Sequence, residues 1–430
     1  MQSNNKPRQM NTIKQTILLL VFPAQLLLAQ EKPSLDDCRQ WARENHPVLQ
    51  QKQILENMSE LAVENHKTNY LPALNLNGQA TYQSDVTRVP ISIPNISIPT
   101  AAKDQYKMYI DVSQTIWDGG ITRILTELEN KKLDSELQKT EVELYAIQEK
   151  VNAFFFMQLK LQQNAKVLKT KKEILLERQK QMGSALRNGV ILASDLDQLK
   201  AELIRLEQDQ LTIESNQKYC ANALSVLTEK SPDIFAELAM PESKVQISEA
   251  IARPELELFG KQRLQLDTSS ELLKKQRNPK VFGFGQLGYG RPGLNMLSDE
   301  FDSYYMLGLG MKWNIHDWKK TQRDVQSIQL QKEIIDSKEL DFKRNISLAL
   351  EPYKQETEKL RKIMEQDVTL ISLQENITKS SVSKLDNGTI TISDYIEDLN
   401  AEILAKITYE THKIQLEEAI EVCRIIQGQL

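Results

Sequence analysis

The sequence predicts a mainly α-helical chain with a small transmembrane β part, built from a duplicated helix–strand–strand–helix unit. Three observations carry this reading. A set of landmarks recurs with equal spacing, four short segments alternate apolar and polar residues, and the helical stretches are too long for a globular core.

The duplication comes first. A Pro in a helical segment (Pro47, Pro254), a Pro opening a strand (Pro72, Pro279), an Asp closing a hairpin (Asp118, Asp317) and a Gly-x5-Asp turn (Gly189 to Asp195, Gly388 to Asp394) follow one another twice. The spacings agree: 72 − 47 and 279 − 254 are both 25, and 195 − 118 and 394 − 317 are both 77. Between second Pro and Asp they part, 118 − 72 = 46 against 317 − 279 = 38, so the first hairpin holds eight extra residues. Two copies of one unit make a pseudo-symmetric scaffold, with function expected where copies meet or loops differ.

In order along the chain, residues 1–29 read as a signal peptide. Lys6, Arg8 and Lys14 are followed by the apolar run Ile17 to Leu28, and Leu27-Leu28-Ala29 offers a cleavage site before Gln30. Its removal takes three positive charges and no acid, so the formal charge goes from −5 to −8, which argues against nucleic acid as a partner. The three cysteines, at 38, 220 and 423, are odd in number and far apart, so no disulfide framework is indicated. No second apolar run reaches 18 residues, which excludes helical membrane spans and leaves a β-barrel open.

The first structural repeat is expected over residues 30–230. It opens with a helix from Leu35 to Tyr70, with Ser34 as N-cap ahead of Asp36 and Asp37. From 73 to 83 the period changes to two: Leu74, Leu76, Gly78, Ala80 and Tyr82 face one way, and Asn75, Asn77, Gln79 and Thr81 the other. A partner strand at about 106–116 sets Tyr106, Met108, Ile110 and Val112 against Lys107, Asp111 and Ser113. One apolar and one polar face are what a strand between lipid and water needs. The Pro-punctuated stretch Val89 to Pro99 between them reads as a loop tip.

Asp118-Gly119-Gly120 ends the strand and opens a helix that meets no Pro or Gly from Ile121 to Met182, a span of roughly 93 Å at 1.5 Å per residue. After the Gly189 turn the chain returns as a helix from Asp195 to Thr228. The two shorter helices together match the long one, so they can stack end to end along it. Residues 231–248, with Pro232 and Pro241, form the equatorial linker between repeats. The second repeat, 249–430, has strands at about 280–290 and 304–315, a long helix from Trp318 to Lys384 in which Pro352 should give a kink, and a return from Asp394 to Gln427.

No motif for chemistry survives inspection, and the chain is expected not to be an enzyme, with no catalytic, cofactor-binding or metal site. Gly283-Phe284-Gly285-Gln286-Leu287-Gly288 spells a dinucleotide fingerprint but continues as a strand, whereas the fingerprint needs a helix to follow. The four His never fall at i, i+4 on one helix. Tyr82, Tyr106, Trp117, Tyr289, Tyr304 and Trp313 gather at the strands and read as a membrane-interface belt. Asn188-Gly189 and Asn387-Gly388 make tight helix ends, with Ser194 and Ser393 as caps for the helices that follow. Val190, Ile191 and Ile390 would be apolar at a remote tip, so a docking partner is expected there.

Asn45-His46-Pro47, Ala252-Arg253-Pro254, Leu71-Pro72-Ala73-Leu74, Ile116-Trp117-Asp118-Gly119-Gly120 and both Asn-Gly-x5-Asp turns resemble the duplicated motifs of the TolC-like outer-membrane efflux protein family. The similarity covers about Leu35 to Ile426. It implies a homotrimer in the bacterial outer membrane whose protomers give four strands each to one 12-stranded β-barrel, continuous with a long α-helical barrel across the periplasm. It also implies a periplasmic adaptor meeting the tips (Gly189, Val190, Ile191, Asp195, Gly388, Ile390) and an inner-membrane pump supplying energy. The family's ring of pore acids falls on Asp394 and Glu397; the first repeat has Asp195 but Gln198. Trp318 stands where the first repeat has Gly119, and Ile390 where the family can carry an arginine of its closing network. The expected function is a passive exit duct of a tripartite efflux or type I secretion system; the alternative is a periplasmic coiled-coil adaptor or scaffold without a barrel.

Overall fold

The computed structural model describes residues 32–88, 90–91, 100, 102–189, 191–241 and 250–429. The signal peptide, the loop tip from Val89 to Pro99 save Pro90 and Ile91, Val190, and residues 242–248 of the linker lie outside them. The first repeat contains α1 (Leu35–Glu44), α2 (Val48–Lys67), β1 (Ala73–Tyr82), β2 (Asp104–Trp117), α3 (Ile121–Arg187) and α4 (Ala193–Thr228). The second contains α5 (Pro254–Lys275), β3 (Lys280–Arg291), β4 (Asp302–Lys312), α6 (Lys320–Asp386) and α7 (Ile392–Gln427). Short 3₁₀ turns follow α2 and α4.

The helices repeat in length. Both α3 and α6 have 67 residues, roughly 100 Å, and both α4 and α7 have 36. One offset maps all four: 320 − 121, 386 − 187, 392 − 193 and 427 − 228 are each 199. α3 packs along α2, α4, α5 and α7, and α6 along α5 and α7, so α5 and α7 each touch both long helices.

Several boundaries differ from expectation. The first helix breaks at Asn45-His46-Pro47, because Pro47 has no N–H to give and its ring disfavours the helical conformation at His46. Asn45 ends α1, and its amide donates to the Thr228 carbonyl at 2.7 Å, tying α1 to the end of α4. α3 runs through Gly183 to Arg187, and Pro352 lies within α6, which continues on both sides of it. Ser34 caps α1 as expected, accepting from the Asp37 N–H at 3.1 Å while Asp37 accepts from the Ser34 N–H at 2.9 Å.

A bundle this thin has separate cores along its length. At the equator Leu144, Val151, Phe155, Phe156, Leu224 and Phe235 are buried together where α1 and α4 meet the middle of α3. There Arg39 pairs with Glu421 at 3.0 Å, both side chains buried, and Tyr145 donates to the Ile425 carbonyl at 2.6 Å. The chain segment after α4 wraps onto α3, with Gln158 donating to the Phe235 carbonyl at 2.9 Å. A second core, of Leu175, Leu199, Leu206, Tyr395, Leu399 and others, fills the tip where α3 and α6 turn into α4 and α7.

Candidate functional site

The four strands form one antiparallel sheet in the order β1-β2-β3-β4, although β2 and β3 are separated in sequence by α3, α4 and α5. The register aligns the alternation of all four. Leu76 opposes Ile110, which opposes Leu287, which opposes Tyr305; the next row is Leu74, Val112, Gly285 and Leu307. These rows lie on one face, where Leu76 is 69% and Leu307 79% exposed. A contiguous apolar face of this kind is unfavourable in water and suits lipid.

The band has a height. Trp117 opposes Val281 at the end nearest the helices, and Tyr289, opposite Met108, stands toward the far end. Eight residues of strand, 289 − 281, span roughly 26 Å at 3.3 Å each, close to the apolar band of about 25 Å that an outer-membrane barrel presents. Tyr82, Tyr106, Tyr289 and Phe301 mark the far end, with Phe301 stacked on Tyr289 at 5.6 Å and on Tyr106 at 6.3 Å. Trp313 lies just past β4, its indole N–H donating to the Arg277 carbonyl at 3.1 Å.

Tyr304 departs from the expected belt. It opposes Gly288 and Tyr109 and so lies on the other face, its ring over Gly288; the aromatic that shares the apolar face is its neighbour Tyr305. Two adjacent tyrosines fit either facing until the register is known. At the helix end of β2 a bulge between Thr115 and Trp117 keeps Trp117 on the apolar side, and β4 ends at Lys312, short of the expected 315.

The opposite face is polar in β1 and β2, where Asp111 accepts from the amides of Asn75 and Asn77. In β3 and β4 it pairs rings with glycines. A Cβ added to Gly308 would stand 2.5 Å from Phe284 Cζ, and one on Gly310 would strike Phe282, so these glycines let the rings lie flat along the sheet. Among the described residues both edge strands, β1 and β4, have one side without a partner strand.

The sheet meets the helices at the repeated aspartates. Asp118 is 6% exposed and accepts from Tyr70 Oη at 2.8 Å and from the N–H groups of Gly120 and Thr122 at 2.8 and 2.6 Å. Burial opposes its ionisation, but the hydrogen bonds from Thr122, Tyr70 and Gly120 together outweigh it and bring its pKa down to about 2. Asp317 accepts likewise from Lys319 and Thr321. The backbone between is left-handed in both copies: Gly119 and Gly120 at φ 76° and 87°, Trp318 and Lys319 at 53° and 61°. Only Gly119 is also forced by crowding, since a Cβ there would stand 2.5 Å from Asn278 Cβ. Trp318, at the matching place in the second repeat, is 80% exposed and meets no such crowding.

At the other pole, Gly189 and Gly388 take φ 71° and 68° and end α3 and α6. The caps of the following helices are Leu192 and Thr391, each two residues before the expected serine. Thr391 Oγ1 accepts from the Asp394 N–H at 3.2 Å, and Asp394 accepts from the Thr391 N–H at 2.8 Å and its hydroxyl at 2.7 Å. These bonds, led by the Thr391 hydroxyl, lower the Asp394 pKa. Asp195 accepts only from the Leu192 N–H, at 3.0 Å, because Leu192 has no hydroxyl to complete the box. Asp394 and Glu397 are both exposed.

Ile191 and Ile390 do have a core to enter: both pack, partly buried, on the tip cluster. The exposed apolar side chain of the tip is Leu192, at 70%. Val190 lies outside the described residues. Sequence reasoning also missed Arg178 of α3, which reaches Asp386 of α6 at 2.8 Å and covers the Tyr395 ring at 4.9 Å. Their separation in sequence, 386 − 178 = 208, hides the pair. Among the described residues no cluster of His, Cys, Asp and Glu could hold a metal, and no helix is long and apolar enough to cross a membrane.

The fold is that of the TolC-like outer-membrane channels. The chain is similar to the CmeC outer membrane channel of Campylobacter jejuni, with 14% identity and TM-score 0.63 over 92% of this chain and 86% of that one. It is similar to the outer membrane protein VceC of Vibrio cholerae, with 13% identity and TM-score 0.64 over 92% of this chain and 97% of that one. The open state of the MtrE outer membrane channel of Neisseria gonorrhoeae gives 13% identity and TM-score 0.62 over 93% of this chain and 90% of that one. No protein-family model matches the sequence, and no curated protein matches it by sequence.

Proposed function

We propose that the chain is the outer-membrane exit duct of a tripartite efflux or type I secretion system, extending into the periplasm. The observation that carries this reading is the exposed apolar sheet face, about a membrane's hydrocarbon band in height and flanked by aromatics, set at one end of helices roughly 100 Å long. A four-stranded sheet with two open edges cannot close on itself. Three protomers joined β4 to β1 give twelve strands, turn the apolar face to lipid and the polar face to a water-filled lumen, and leave no edge.

In this reading the duct is passive and its cargo is set by the pump. The tip turns at Gly189 and Gly388, with Leu192, Ile191, Ile390 and Asp195 about them, receive the periplasmic adaptor. Asp394 and Glu397 from three protomers form an acidic constriction on the axis. Asp394 serves its capping box at the same time, since a carboxylate bonded to Thr391 remains exposed and charged. A soluble periplasmic scaffold would have no use for a bare apolar sheet. The test is fractionation followed by electrophoresis with and without heating: heat-modifiable trimers in the outer membrane are expected, and a soluble periplasmic monomer would overturn the proposal.

A further inference from the structure

We propose that the lumen-facing side of the sheet–helix junction holds a binding site for aromatic anions; this rests on the duct reading and adds a ligand site to the wall of the duct. Lys280 opens β3 and Lys312 closes β4, and the two are direct cross-strand partners. Like charges directly opposed on neighbouring strands destabilise a sheet. Among the described residues neither lysine has a carboxylate at ion-pair distance. Both share the face of Phe282 and Ser113, opposite to Leu307, and therefore the lumen side.

The pair lines a cavity of about 430 Å³, within the about 300–1,000 Å³ of small-molecule sites. Phe282 forms one wall, its ring laid over Gly310 so that a face of the ring is presented along the sheet. Ser113 and Thr115 add hydroxyls, while the Asn69 amide donates to Thr122 Oγ1 at 3.3 Å. Asp118 also borders the cavity, but it is buried and its carboxylate is taken up by donors from Tyr70, Gly120 and Thr122. Two cations without a counter-ion, a ring face and hydroxyl donors together complement a flat apolar ring bearing a sulfonate or carboxylate. Such a ligand supplies the negative charge that the Lys280–Lys312 pair lacks and covers the Phe282 ring. The first repeat has no equivalent: the strand ends there carry Ala73 and Ser113 as the opposed pair.

The test is calorimetric titration of the purified trimer with naphthalene-2-sulfonate and with methanesulfonate, each variant first checked for heat-modifiable trimers. One site per protomer is expected, with the naphthalene anion bound at least tenfold more tightly than methanesulfonate. Lys280→Gln with Lys312→Gln should weaken it tenfold or more, and Phe282→Leu should erase the preference for the aromatic anion while leaving methanesulfonate unchanged. Equal affinity in wild type and the lysine variant, or equal binding of the two sulfonates to wild type, would overturn the site. Bilayer conductance measured on the same preparation separates the two proposals: a conducting trimer that binds no sulfonate refutes the site, and sulfonate binding by a trimer that conducts nothing supports the site while refuting the duct.

Discussion

Replacing Leu307 with Arg should block assembly, and the register says by how much. The row containing Leu307 passes through Gly285, four residues from the Val281 row that carries Trp117 and four from Tyr289. At about 3.3 Å per residue it lies roughly 13 Å from either aromatic limit, the midplane of the band. Leu307 is 79% exposed in the protomer, so little intramolecular packing is lost on substitution. The cost is that of a guanidinium in hydrocarbon, about 2–4 kcal/mol per protomer, which is roughly 30- to 1,000-fold in the insertion equilibrium. The neighbouring Met306→Arg provides the control, because it faces the other way, in register with Gln286 and Asp111, where water and a carboxylate are at hand. Folding into lipid vesicles under a urea titration measures both, and heat-modifiable trimer yield in cells gives a second readout. If the two variants lose the same amount, or Leu307→Arg loses nothing, the facing of the sheet and its placement in a membrane are wrong.

Gly308→Ala should destabilise the sheet by about 1–3 kcal/mol, since its Cβ must displace the Phe284 ring, while Gly78→Ala, with open space around it, should be near neutral; vesicle unfolding midpoints compare them. Thr391→Ala should cost about 1 kcal/mol of tip stability through loss of the capping box, and Leu192→Thr should gain part of that amount by completing the one in the first repeat, both read by thermal unfolding. Asp118, with its folded pKa brought down to about 2, contributes up to about 2 kcal/mol above pH 4, and this is lost as pH falls from 4 towards 2. Asp118→Asn should remove that acid sensitivity from the urea midpoint; an unchanged slope between pH 5 and 2 would show that folding does not lower the pKa of this carboxylate. In single-channel recording, Asp394→Asn with Glu397→Gln should abolish cation preference and Asp195→Asn should reduce it much less, whereas equal selectivity in all three would leave these acids as helix caps alone.

The helices and strands were legible because their signals are local: an unbroken run without Pro or Gly from Ile121 to Met182 in α3, and a period of two through β1. What escaped depends on partners distant in sequence. Tyr304 and Tyr305 are interchangeable until β4 is set against β3, and the opposition of Lys280 and Lys312 exists only in that register. Ile191 and Ile390 look stranded in sequence because their core is made by four helix ends that meet at the tip. Ser393 and Thr391 both suit a cap by composition; geometry chose Thr391, whose hydroxyl reaches the Asp394 N–H three residues on. The break after α1 was written in Pro47 but masked by the helical pattern on both sides of it.

The buried pair of Arg39 with Glu421 bears on the order in which the molecule can finish. Its members are separated by 421 − 39 = 382 residues, so α1 must wait for α7 before the pair can form. The α6–α7 hairpin and the β1–β2 hairpin close over short separations and are complete soon after synthesis, whereas long loops must be closed before the equatorial contacts form. A chain cut before Glu421 would leave Arg39 without this ion pair and the Tyr145 hydroxyl without the Ile425 carbonyl, so the equator is the part of the molecule whose packing waits on α7.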